Sequence, residues 1–364
     1  MARGILTGGD VLTTTLDGIS LENIWDEYIE TLRVWNDSRS PIASLFTSLT
    51  AQSGAAISQA AEGDDFEEAS TFGKPKSIRA EATPLTMGFP LKWYDSAIRY
   101  TEAFLRDATS SEVQAQHSAA LEADNRLLFR QIMRALLTKT TIATRPVNEN
   151  GATIYSLWDG EADATPPSFA GKEFAAGHKH YLTTQSAELD GVDLRDLIND
   201  VTEHGYGTAA GEKMIVLVHP NQGEVVRSFR AGQAGPGGVI SPFDFIPSAG
   251  APAFLSSEQI IGDKPPATYA GLDVIGSYGG ALIVEDYYVP SGYVIATATG
   301  SRTPLAFREH QRIEYKGLRL IPGDKRYPLV DATYARGFGV GVQHRGAAAV
   351  MQVTTSADYT SPTF

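Results

Sequence analysis

Between Leu91 and Arg145 the chain has neither a glycine nor a proline, and this stretch constrains the fold more than any other. Thr109-Ser-Ser-Glu112 matches a capping box, the signature of a helix start. Val113, Ala120, Leu121, Leu127, Leu128, Ile132, Leu136 and Leu137 then form a broad apolar stripe at helical spacing. The pattern predicts a helix about 40 Å long at 1.5 Å per residue, with a shorter helix over 93–106 ahead of it. A helix of that length in a 364-residue chain is a structural beam.

The flanking segments differ. Residues 1–17 are rich in Gly and Thr, lack periodicity and read as an extended arm. Leu21, Ile24, Trp25, Tyr28, Ile29 and Leu32 recur at helical spacing behind Ser20, a plausible N-cap. Residues 40–90 read as two long strands with a loose tip that carries the acidic run Glu62, Asp64, Asp65, Glu67, Glu68. A hairpin with so few apolar residues is stable only when something packs against it. Residues 146–180 read as loop with short strands around Ile154 and Tyr181.

Beyond them, 192–203 is predicted helical and ended by Gly205-Tyr-Gly207. A buried strand at 213–218, a short helix at 221–229 and a mobile Gly/Pro/Ala-rich loop at 231–251 follow. Strands at 272–275, 281–284 and 293–298, and a tail with strands at 337–342 and 347–353, complete an α+β reading.

Composition excludes several functions. There is no cysteine, hence no disulfide, thiolate metal site or Cys nucleophile. No run reaches the roughly 18 apolar residues of a membrane span, and the N-terminus does not read as a signal peptide. Net charge is −13, so the chain is not expected to grip nucleic acid through its overall field. The charge is polarised: residues 1–70 hold twelve acids against three bases, and 302–345 hold nine bases against four acids. Such ends suit complementary contacts between copies.

Sites for chemistry are scarce. Gly337-Phe-Gly339-Val-Gly341 lies inside a predicted strand with no following helix, which fits close strand approach better than a dinucleotide loop. His178-Lys-His180 is the one metal-like pair, but the sequence positions no third ligand and it reads as a polar strand end. No catalytic residue, cofactor or metal is expected.

The order of these parts resembles the Hong Kong 97-type major capsid protein of tailed phages. Phe72-Gly-Lys-Pro with Leu85-Thr-Met-Gly-Phe-Pro-Leu-Lys-Trp-Tyr is similar to its extended hairpin, the E-loop, running into a spine helix. Met214-Ile-Val-Leu-Val-His-Pro-Asn and Val289-Pro-Ser-Gly-Tyr-Val-Ile-Ala resemble the entry and closing strands of its axial domain. Val340-Gly-Val-Gln-His-Arg-Gly-Ala-Ala-Ala-Val-Met-Gln-Val resembles its last peripheral-domain strands.

The resemblance implies a Hong Kong 97-like capsid fold. Residues 1–45 would be arm and docking helix, 46–92 the E-loop, and 93–180 the spine and first part of the peripheral domain. Residues 181–300 would be the axial domain and 301–364 the return to the peripheral domain. It further implies a homo-oligomer of hexamers and pentamers enclosing double-stranded DNA that is contacted non-specifically. A separate scaffolding protein, a portal and a decoration protein are the other expected partners, with no membrane. The subunit would assemble in the bacterial host cytoplasm and end in the virion. Candidate inter-subunit contacts are Trp25, Glu62, Asp64, Asp65, Glu67, Glu68, Lys74, Lys76, Arg308, Arg312, Arg319 and Arg336. The alternative within the fold is an encapsulin-type nanocompartment shell protein; outside it, a metal-dependent enzyme using His178 and His180.

Two departures from the family prototype stand out. The chain reaches its docking helix within about twenty residues of Met1, so no built-in scaffold segment is expected. The prototype also joins an E-loop lysine to an asparagine in the C-terminal region. Lys74 and Lys76 are present, but no asparagine follows Asn221. Mature particles should therefore give a single band near 39.1 kDa on a denaturing gel; covalent ladders that survive boiling would contradict this.

Overall fold

The computed structural model describes residues 12–38, 40–60, 68, 73, 85–252, 260–300, 302–323 and 329–364. In chain order the first elements are α1 (Leu21–Asp37), α2 (Pro41–Phe46), β1 (Thr47–Thr50), β2 (Gly54–Ile57), β3 (Leu85–Gly88) and β4 (Lys92–Arg99). Next come α3 (Glu102–Asp107), α4 (Ser110–Leu137), β5 (Tyr181–Thr183), α5 (Gly191–Thr202), β6 (Met214–Val218) and α6 (Pro220–Arg227). Strands β7 (Phe245–Pro247), β8 (Thr268–Tyr269), β9 (Leu272–Tyr278), β10 (Ala281–Glu285) and β11 (Tyr293–Ala298) follow. The last four are β12 (Leu305–Glu309), β13 (Leu318–Pro322), β14 (Asp331–Val342) and β15 (Ala348–Gln352). No described helix is long and apolar enough to cross a membrane.

The chain divides into two compact units. The first comprises residues 1–40, 91–128 and 309–339. Its α1 starts where the Ser20 hydroxyl accepts the Glu22 N–H, and it ends ahead of Pro41, which disfavours helical backbone just before it. Ile24, Tyr28 and Leu32, four residues apart, form its buried face. They join Ile98, Tyr100, Leu105, Val113, Leu121, Leu318 and Tyr334 in one apolar cluster.

The predicted 93–106 helix is corrected here. Residues 92–99 are strand β4, paired antiparallel with β14 from Lys92↔Phe338 to Arg99↔Asp331, and only 102–107 is helical. Aromatic residues and Ile98 suit a pleated surface, and the partner lies more than 200 residues away, beyond the reach of local periodicity.

The long helix appears as predicted. Its 28 residues give about 42 Å. The Glu112 carboxylate accepts both the Thr109 N–H and its hydroxyl, completing the predicted box from one side. A second cap was not foreseen. Asp17 accepts the Ser110 N–H at 3.1 Å and the Ser110 hydroxyl at 2.6 Å, which holds its carboxyl down at about 2. Residues 12–19 are thus docked on the helix start, with Leu16 N–H bonded to Ala108 O, and are not loose arm. The remainder of the predicted arm lies outside the described residues.

The second unit comprises 41–90, 129–308 and 340–364. Its centre is a sheet in the order β5-β15-β11-β6-β10-β9-β7, with β8 on β9. All five residues of β6 are buried between parallel β10 and antiparallel β11, which explains its unbroken apolar run. Helix α5 carries a full capping box between Asp190 and Asp193 and is stopped at Gly205, whose φ is +80°.

The predicted mobile loop at 231–251 is ordered and contains β7. Ser241 is buried and holds it: its hydroxyl donates to Phe243 O and meets Tyr278 Oη at 2.9 Å, and that phenol donates to Gly191 O. Near Ile154 there is only the single bridge Val147↔Thr153, no strand. The glycines at 337–341 lie within β14, as expected.

A buried histidine makes the first unit sensitive to acid. His117 stacks on Tyr28 with centroids 4.0 Å apart, contacts Tyr334 Oη, and is driven from 6.5 to about 4 by burial. Below pH 6.5 the unfolded chain takes a proton that the folded one refuses. Its contribution to stability is therefore flat above about 6.5, declines between about 6.5 and 4 by at most about 1.4 kcal/mol per pH unit, and levels off below. Urea titrations across this range should show a shallower pH slope for His117→Gln than for wild type; equal slopes would contradict the account.

Candidate inter-subunit surfaces

Glu62, Asp64, Asp65, Glu67, Lys74 and Lys76 lie outside the described residues; Glu68 is described and exposed. Trp25 is half-buried and packs against the apolar cluster of its own unit. Arg308 is buried: it donates to Phe89 O at 2.8 Å and pairs with Glu149. Arg336 pairs with buried Asp124, which also accepts the Trp35 indole N–H at 3.0 Å. Both guanidiniums are engaged inside the chain. Arg312 and Arg319 are different.

They belong to an aromatic and basic patch built on β4, the 310–317 turn and β13. Trp93 lies across from Gly337 in the β4–β14 register, and a Cβ there would meet the indole at 2.5 Å. The missing side chain lets the ring lie against the strand. The Arg319 guanidinium sits 5.6 Å from the Trp93 ring and 5.0 Å from the Tyr315 ring, within cation–π range. His310 stands 6.0 Å from Trp93 and 5.0 Å from Tyr315. Asn36 fixes the end of the turn by exchanging two 2.8 Å hydrogen bonds with the Leu318 backbone.

The patch is held rigid yet open to solvent. Trp93 is 51% exposed and Ile313 79%, and Arg312 and Lys316 flank them, exposed. Large rigid aromatics beside arginine are the side chains that dominate protein interfaces. Arg312 and Arg319 stand out in the sequence by charge, whereas Trp93 was assigned to a helix and shares the patch only because β4 pairs with β14.

The hairpin base is clamped. β2 pairs with β3 from Gly54↔Gly88 to Ile57↔Leu85. A Cβ on Gly88 would meet Ala152 O at 2.5 Å, so only glycine lets the 148–153 turn close on it. Asn148 is buried in this turn; its amide donates to Ser53 O and Phe89 O while its carbonyl accepts the Asn150 and Ala152 N–H groups. The described part of each strand is four residues, shorter than predicted; the tip lies outside the described residues.

The pair His178 and His180 has a third partner that sequence spacing did not place. His204, just past α5, brings its Nε2 to 2.9 Å from His178 Nε2, which is 3.2 Å from His180 Nε2. The ligand atoms of His178, His180 and His204 lie within 4.8 Å of one another, and so do those of His178, Asp200 and Glu203. Burial lowers His180 to about 4 and His204 to about 2, and raises Asp200 to about 7.

No protein-family model matches the sequence, and no curated protein matches it. Among solved structures, one from Mycobacterium phage Patience is 36% identical, covers 100% of this chain and 96% of its own, and superposes with a TM-score of 0.69. The holo-SrpI encapsulin of Synechococcus elongatus PCC 7942 shares 12% identity over 92% of this chain and 98% of its own, at a TM-score of 0.43. The capsid of an empty GTA particle shares 12% over 87% and 91%, at 0.45.

Likeness to the phage structure over the full length defines a shell-building protein and not an enzyme. The chain belongs to the Hong Kong 97-type major capsid proteins of tailed phages. It is a structural subunit of a homo-oligomeric shell and a component of the virion.

The two kinds of arginine should respond differently to substitution. Arg336→Met leaves Asp124 buried without its cation and should cost about 3–5 kcal/mol in urea unfolding. Arg312→Ser should stay within about 0.5 kcal/mol. Equal effects would contradict their placement.

Proposed function

We propose that the subunit forms hexamers and pentamers in which the patch of Trp93, Arg312, Ile313, Tyr315 and Arg319 receives the acidic hairpin of a neighbouring copy. The exposed, rigid patch carries this reading. Charge supports it: the run Glu62, Asp64, Asp65, Glu67 and Glu68 is the counterpart of the exposed Arg312 and Lys316 of the patch. Each exposed pair is worth only about 0–1 kcal/mol, but a closed shell repeats the contact in every copy. Contacts of Lys74 and Lys76 with a neighbour are taken to be non-covalent, since Asn148 is already committed to Ser53 O and Phe89 O.

In this assembly the α5–β11 region, residues 181–300, is the axial domain, and 231–251 faces the capsomer centre. Of the 1–17 arm, the described residues from 12 on are engaged at the start of α4, and the contact of the arm with another copy belongs to the same proposal. The chain's acidity fits an inner surface that borders packaged DNA non-specifically without gripping it. A separate scaffolding protein, a portal and a decoration protein act with it, and assembly takes place in the host cytoplasm.

The test is assembly of two variants. Ile313→Asp changes a side chain that is 79% exposed, so the subunit should unfold within about 0.5 kcal/mol of wild type yet fail to close shells by sedimentation and electron microscopy. Neutralising the five hairpin carboxylates should weaken assembly and flatten its salt dependence. Normal shells from Ile313→Asp, or an unchanged salt dependence, would overturn the proposed contact.

A further inference from the structure

The cluster around His178 is built like a ligand set. His180 is fully buried, and its Nδ1 meets Ala348 O at 2.7 Å. A carbonyl only accepts, so the proton sits on Nδ1 and the Nε2 lone pair of the neutral ring points into the cluster. His178 Nε2 faces both His180 Nε2 and His204 Nε2. A single N–H on that atom serves one linear hydrogen bond, so the three ring nitrogens cannot satisfy one another.

The carboxylates divide the roles. Glu203 Oε2 is taken by Lys172 through an ion pair, and its Oε1 stands 4.0 Å from His178 Nε2, farther than Asp200. Asp200 reaches His178 Nε2 with Oδ1 at 3.6 Å and His180 Nε2 with Oδ2 at 3.9 Å. Its Oδ2 is buried and has no hydrogen-bond partner among the described residues. A tetrahedral ion with bonds of about 2.0–2.1 Å spaces its ligand atoms about 3.3 Å apart, and His178 Nε2 lies 2.9 Å from His204 Nε2, 3.2 Å from His180 Nε2 and 3.6 Å from Asp200 Oδ1. Phe174 stacks on His204 at 4.0 Å and provides an apolar wall.

We propose that His178, His180, His204 and Asp200 form a closed four-coordinate site for a structural zinc-class cation. Three imidazoles and one carboxylate select zinc or its tetrahedral analogue cobalt over magnesium and calcium, which take oxygen ligands. With four protein ligands there is no open position for substrate, which suits a shell protein. The ion staples the irregular segment ahead of β5 to the end of α5. This assignment is independent of the proposed hairpin contact.

The experiment uses the untagged full chain, stripped with chelator and dialysed. Zinc chloride should bind at one ion per chain by metal analysis and raise the melting temperature, and Co²⁺ should give the intense visible bands of tetrahedral coordination. His178→Gln, the most accessible of the three histidines, and Asp200→Asn should each lower zinc affinity at least about tenfold. Glu203→Gln should leave it within about twofold. Absence of a melting shift with wild type, an octahedral cobalt spectrum, or zinc binding unchanged in both ligand variants would overturn the site. An effect of Glu203→Gln as large as that of Asp200→Asn would overturn the choice of fourth ligand.

Discussion

The second unit depends on one fully buried guanidinium. Arg345 is 0% exposed, pairs with Asp159 at 3.0 Å, donates to Ser156 O at 3.0 Å, and lies 4.2 Å from the Trp158 ring. Asp159 is shared with Arg145 at 2.8 Å, and Arg145 also holds Asp163. Burying such charges costs several kcal/mol each, so the arrangement stands only because both cations and the shared anion are matched. The segment from 138 to 180 has no helix or strand to place it. This polar clamp does that work, and it also fixes the hairpin base, because the Arg345 N–H bonds Gln59 Oε1 and the Gln59 amide bonds Gln343 O.

A capsid subunit needs that kind of definition. An interface repeated in every copy of a shell tolerates little local freedom, since ordering a floppy contact costs about 0.5–1.5 kcal/mol per long side chain each time. The same logic recurs in the first unit, where Asn36 holds the turn beneath the aromatic patch and Gly337 seats the Trp93 ring. In both units these surfaces rest on side-chain hydrogen bonds and close packing.

Elements with a strong local period were legible in the sequence: α1, α4 with its capping box, and the all-apolar β6. So was the family, from the order of the parts. What escaped was set by distant partners. β4 carries no glycine or proline and passed for helix, yet its hydrogen bonds go to β14. The 231–251 segment looked mobile by composition, yet buried Ser241 holds it. Arg308 and Arg336 looked like surface charge until Glu149 and Asp124 were seen beside them. His204 stands 24 residues beyond His180 at the far end of a helix, a spacing that no metal motif announces.

The central claim is that this chain closes a homo-oligomeric shell through the patch around Trp93 and Ile313. An electron cryomicroscopy reconstruction of particles assembled from the full chain tests it most directly. The account predicts a closed icosahedral lattice in which a neighbouring copy's hairpin density covers Trp93, Ile313 and Tyr315. A closed lattice with those side chains facing open solvent would contradict it.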